Sequence, residues 1–143
     1  MKRTCTRKVE FDSAHRVTLH ESKCRNLHGH RYTAEITAEA EDLDGVGRVI
    51  DFGVLKSLVG GWINRFWDHG AILRDTDVDL IELCRANGWK LFILSGEPTA
   101  ENLAKDLYET SVTLIREGGY EDLRITHIRL YETPNCWADY PNE

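Results

Sequence analysis

From His30 to Glu41 the chain alternates without a break: Tyr32, Ala34, Ile36, Ala38 and Ala40 hold the even positions, and Arg31, Thr33, Glu35, Thr37 and Glu39 the odd ones. Strand side chains point to opposite faces in turn, so this pattern demands a half-buried strand with its even row inward. His28 and His30 extend that inward row. Two imidazoles one residue apart then face the same point.

A second alternating run, Thr4 to Ala14, has Cys5, Val9 and Phe11 at odd positions and leads into His15. Pairing of the two runs brings His15 toward His28 and His30. Three imidazoles with no obligatory fourth protein ligand describe a catalytic zinc site with an open position. Cys24, four residues before His28, leaves a second reading open, because zinc accepts thiolate and Cys24 could close the site as a structural ligand. As a free residue between Lys23 and Arg25, Cys24 sits where positive charge favours a thiolate usable as a base.

Other side chains carry candidate chemistry. Asp68-His69 reads either as an orienting pair in which the carboxylate acts electrostatically on the imidazole, through separate partners since neighbours seldom bond side chain to side chain, or as a surface helix terminus with a charge-favoured histidine. Glu132, just before Thr133-Pro134, can accept two parallel N–H donors from a guanidine-like ring edge. Thr99 is expected to cap a helix and, with Glu132, is a candidate substrate contact.

Residues 16 to 28 are expected as a loop, and Arg48-Val49-Ile50 as a short strand. Asp51 is expected to cap a helix carrying Leu55, Leu58, Val59, Trp62, Ile63 and Phe66 at three- and four-residue spacing. Gly60-Gly61 inside it suggests a close packing contact. Thr76 is the expected cap of a second helix ending at Gly88, followed by a strand from Trp89 to Leu94. Thr99 opens a third helix that ends at Gly118-Gly119, and a last strand runs from about Leu123 to Glu132. The order implies an α+β domain spanning 1–143, a small antiparallel sheet with helices on one face. Its uncovered face and edges point to oligomerisation.

The net charge of −6 over 143 residues argues against a nucleic-acid footprint and leaves a small-molecule partner. The chain shows no signal-like or membrane-spanning run, and its cysteines at 5, 24, 84 and 136 have no Cys-x-x-Cys spacing; a cytoplasmic, thiol-containing protein is expected.

Phe11-Asp12-Ser13-Ala14-His15-Arg16, Cys24-x-x-x-His28-Gly29-His30, Val49-Ile50-Asp51-Phe52, Asp68-His69, Pro98-Thr99-Ala100-Glu101-Asn102 and Tyr131-Glu132-Thr133-Pro134 occur in this order along nearly the whole chain. In these motifs the chain resembles the 6-pyruvoyl-tetrahydropterin synthase superfamily, and within it the carboxy-forming bacterial branch of queuosine biosynthesis. The resemblance implies a tunnelling fold assembling into an oligomeric β-barrel, usually a homohexamer of two stacked trimers, with active sites between subunits. It implies zinc on His15, His28 and His30, Cys24 as proton-abstracting thiolate, Asp68 and His69 as its partners, and Glu132 as pterin anchor. It also implies conversion of 7,8-dihydroneopterin triphosphate to 6-carboxy-5,6,7,8-tetrahydropterin, acetaldehyde and triphosphate. The alternatives are a pyruvoyl-forming synthase, which eliminates triphosphate only, and a non-catalytic zinc- or pterin-binding relative. The chain departs from the family pattern at Trp67, where leucine is usual, and in a longer segment from Arg74 to Gly96.

Overall fold

In the computed structural model, residues 1–141 are described. Six strands form one sheet in the order β4 (Leu91–Leu94), β3 (Gly70–Arg74), β1 (Arg3–His15), β2 (His28–Ala40), β5 (Arg124–Thr133) and β6 (Cys136–Tyr140). Its centre is the long hairpin of β1 (Arg3–His15) and β2 (His28–Ala40), antiparallel from Arg3↔Ala40 to His15↔His28. β5 (Arg124–Thr133) pairs antiparallel with β2, and β6 (Cys136–Tyr140) with β5.

The sheet is mixed, not antiparallel throughout: β3 (Gly70–Arg74) runs parallel to both β1 and β4 (Leu91–Leu94). Neither β3 nor β6 was expected. Ala71-Ile72-Leu73 is apolar on both faces and five residues long with its flanks, so it has no alternation to betray it. β6 follows the break at Pro134 as the return arm of a hairpin. Arg48-Val49-Ile50 forms no strand, and the stretch expected from Trp89 begins at Leu91.

The inward rows are Phe11, Ser13 and His15 on β1, and Tyr32, Ala34, Ile36 and Ala38 on β2, all buried. Against them lies one continuous helical stretch, α1 (Phe52–Leu55), a π turn (Lys56–Gly60) and α2 (Gly61–Phe66), together with α4 (Ala100–Glu117). Asp51 caps α1 by accepting from the Gly53 N–H. A Cβ on Gly60 would sit 3.5 Å from Val9, an ordinary van der Waals contact, and one on Gly61 would face open space, so the close packing expected of the pair is not found. The ring of Phe11 stacks on Tyr32 at 4.9 Å, and fully buried Trp67 meets Phe11, Trp62 and Phe92. The indole thus fills the base of the turn that carries Asp68 and His69.

The helices are not all on one face. α3 (Val78–Asn87) packs Ile81 and Cys84 on Leu73, whereas neighbouring Ile72 joins the main core on the opposite side of β3. The segment between β3 and β4 therefore covers the other face at that end of the sheet. Its N-cap is Asp77 rather than Thr76, without a capping hydrogen bond, and Gly88 ends it with the left-handed φ of 66° that glycine tolerates best.

Thr99 caps α4 as expected, its hydroxyl accepting from the Asn102 N–H at 3.2 Å. Thr99→Ala is expected to lower stability by about 1 kcal/mol, a melting-temperature drop of roughly 3 °C in a thermal scan. Thr99→Ser, which keeps the hydroxyl, should melt close to the wild type.

Candidate metal and catalytic site

The β1–β2 register sets His15 opposite His28 and Ser13 opposite His30, so three imidazoles close the end of the inward face. Their ring centroids lie 4.6 to 5.1 Å apart, and one nitrogen of each falls within 4.8 Å of the others. His15 is 1% exposed. Its Nδ1 stands 2.7 Å from the Pro98 carbonyl, and the Nδ1 of His28 stands 2.7 Å from the Asn26 carbonyl. Carbonyls only accept, so both Nδ1 atoms carry protons and both Nε2 atoms present lone pairs.

Those two lone-pair nitrogens are 3.1 Å apart. Neutral imidazoles in that arrangement repel unless a proton or a cation lies between them. Two ligands at about 2.0–2.1 Å in tetrahedral geometry stand about 3.3 Å apart, so the donor set fits zinc. Backbone acceptors on the remote nitrogens are the usual outer support of metal-binding histidines. Cys24, in a single 3-10 turn at Lys23–Arg25, does not belong to this cluster of donor atoms. The arrangement is three imidazoles without the sulfur.

Burial holds His15 and His30 below the ordinary imidazole range; the Pro98 carbonyl and Glu132 act the other way on His15, as does Glu132 on His30. Both are thus kept neutral, the form a metal needs. Where the folded value is depressed, the unfolded chain takes up protons first. Without metal, the protein should lose stability as the pH falls through about 6.5 and below, which denaturant titrations at several pH values would show.

Glu132 Oε1 lies 3.2 Å from His30 Nε2, without the alignment of a hydrogen bond. Its side chain is a quarter exposed, on the same face as the imidazoles. The hydroxyl of Tyr32, whose ring meets those of His15 and His30 edge-on, is buried without a partner.

Asp68 and His69 do bond each other, contrary to expectation: His69 Nδ1 and Asp68 Oδ2 are 2.8 Å apart. The reason is local. His69 has a left-handed φ of 59°, which folds the two neighbouring side chains to one side. Burial tends to raise the Asp68 carboxyl, but the Asp12 N–H at 2.9 Å and the His69 ring outweigh it and hold the group below the usual carboxylate range. The His69 N–H in turn donates to the Asp12 carbonyl at 2.7 Å.

Asp12 alternates with the inward row of β1, and its carboxylate, paired with Arg31, projects from the opposite face. His69 borders a groove of about 840 Å³ there, with Asp12, Arg31, Lys90 and Trp89. The imidazole trio and the Asp68-His69 pair are thus two separate clusters of donor atoms, although His30 also borders this groove. The Asp12 backbone and the carbonyls of Pro98 and Asn26 escaped sequence reasoning, since a main-chain group has no signature in residue type. Glu97 escaped it too. It accepts from the Thr18 backbone N–H, the Thr18 hydroxyl and Arg74, and these bonds, against burial, hold its carboxyl below the usual range. It ties the loop after His15 to the segment that supports the His15 ring.

A helix-covered mixed sheet with three clustered histidines at one end defines an α+β protein that carries a candidate metal site. The family profile described as 6-pyruvoyl tetrahydropterin synthase matches residues 4–143, and the chain belongs to that family. It is 40% identical over 136 residues to the 6-carboxy-5,6,7,8-tetrahydropterin synthase of Rickettsia bellii, covering 94% of this chain and 97% of that protein. It is 31% identical to the enzyme of the same name from Haemophilus influenzae, covering 94% and 96%. Among solved structures, an uncharacterized protein of Wolinella succinogenes superposes with a TM-score of 0.81 at 21% identity, covering 100% of this chain and 99% of that one. Plasmodium vivax 6-pyruvoyltetrahydropterin synthase superposes with a TM-score of 0.76 at 17% identity, covering 97% and 96%. Among the described residues, no helix is long and apolar enough to cross a membrane.

Proposed function

We propose that this protein is a zinc-dependent lyase that converts 7,8-dihydroneopterin triphosphate to 6-carboxy-5,6,7,8-tetrahydropterin, releasing acetaldehyde and triphosphate, in queuosine biosynthesis. The observation that carries the proposal is the three-imidazole cluster that excludes Cys24. Relatives at 40% identity that bear the name of the carboxy-forming enzyme support the choice of reaction.

His15, His28 and His30 would hold the ion, and when bound it polarises hydroxyls of the substrate side chain and eases their deprotonation. Cys24, left free, serves as the base that takes a proton from that side chain. Asp68 fixes the tautomer of His69 by accepting from Nδ1, so that Nε2 is the atom that takes up or returns a proton. Glu132, at the edge of the imidazole cluster, accepts two N–H donors from the pterin ring. Thr99, next to the carbonyl that holds His15, is the second substrate contact.

Asp68-His69 and the imidazoles of the same chain form separate donor clusters, and in this proposal the complete site takes the pair from a second copy. Such a site would form in an oligomer, proposed as a homohexamer of two trimers enclosing a β-barrel, and the protein would work in the cytoplasm. Incubation with 7,8-dihydroneopterin triphosphate should yield the carboxypterin and acetaldehyde. A product that keeps its three-carbon side chain after loss of triphosphate would assign the protein to the pyruvoyl-forming branch, the activity in the name of the Plasmodium vivax structure.

A further inference from the structure

We infer that Lys90 is a positioning residue for the Asp68-His69 pair, holding the peptide that joins them; the inference rests on the catalytic role proposed for that pair. The Asp68-His69 peptide is tied at both of its polar atoms. Its N–H donates to the Asp12 carbonyl at 2.7 Å, and its carbonyl accepts from the Lys90 ammonium. The same ammonium donates to the Asn64 carbonyl at 2.8 Å, in the last turn of α2, where a cation also complements the helix dipole.

The stem of Lys90 is fixed as well. A Cβ on Gly70 would lie 3.0 Å from Lys90 Cγ and 3.3 Å from Cδ, so the aliphatic chain lies directly over the glycine that follows His69. The Lys90 carbonyl accepts from the Ala71 N–H at 3.1 Å, which anchors its own backbone beside β3. His69 needs such a clamp, because a non-glycine residue at a φ of 59° is held there only by its surroundings. Turning that peptide would swing the imidazole away from Asp68 and from the groove. Lys90 comes from the long segment after β3, so that segment supplies the outer jaw of the clamp and β1 the inner one.

The test uses Lys90→Met, which keeps the stem and removes the donor, Lys90→Arg, His69→Ala and the Lys90→Met/His69→Ala double variant, all assayed as the full-length zinc-loaded protein. Lys90→Met should lower kcat by about tenfold or more with KM within about threefold, since small misplacements of a reacting group cost that much. Lys90→Arg should recover part of it. In the double variant the loss should not exceed that of His69→Ala alone. Hydrogen exchange at the His69 amide requires no turnover and should quicken in Lys90→Met while exchange in the β1–β2 hairpin stays unchanged. With His69→Ala impaired, a Lys90→Met kcat within twofold of the wild type or multiplicative losses in the double variant would overturn the inference, as would unaltered exchange at His69 in any case. Full turnover by His69→Ala with faster amide exchange in Lys90→Met would instead remove the catalytic role of the pair and leave the clamp standing.

Discussion

His28→Ala should yield a protein that retains little zinc and turns over substrate more than about 100-fold more slowly than the wild type. Loss of a supporting partner alone costs 10–100-fold in metal affinity or activity, and His28 is proposed as a direct ligand. Its Nε2 is 3.1 Å from that of His15, so its removal deletes one of the two donors that Pro98 and Asn26 aim inward. The fold should survive, because the His28 ring is only half buried and lies beyond the main hydrophobic cluster. Metal analysis after gel filtration and steady-state assays on the same sample check both parts. Zinc bound at wild-type stoichiometry would remove His28 from the ligand set.

Cys24→Ala is the complementary variant, with the opposite expectation for the metal. Because Cys24 is absent from the cluster of donor atoms, zinc content should be unchanged while kcat falls by about 10²–10⁴-fold, the range for loss of a positioned general base. Zinc lost together with turnover would revive the closed structural site. Cys24→Ser should sit close to Cys24→Ala, since a hydroxyl ionises far less readily than a thiol near neutral pH.

The hairpin that builds the candidate metal site was legible residue by residue. Period-two alternation on both sides of the loop placed His15, His28 and His30 on one inward row, and the observed register sets them together at its end. What escaped notice lacked a periodic signal. β3 is short and apolar on both faces, and its parallel partner β1 lies more than fifty residues earlier, beyond β2 and the helical stretch. The far-side placement of α3 follows from Leu73 pointing away from Ile72, which became visible only once β3 was known to be a strand. The direct Asp68-His69 bond was missed because adjacent side chains normally diverge; the positive φ of His69 reverses that, and sequence gives little warning of a left-handed histidine. Lys90 carries no signature in the sequence, for its two acceptors are the main-chain carbonyls of Asn64 and Asp68.

The most direct measurement is X-ray absorption at the zinc edge on the purified, zinc-loaded protein. The expected spectrum has three imidazole nitrogens at about 2.0–2.1 Å and a light-atom fourth position with no sulfur, identical in the wild type and Cys24→Ala. A sulfur scatterer at about 2.3 Å that vanishes in Cys24→Ala would contradict an open catalytic centre and make the zinc structural.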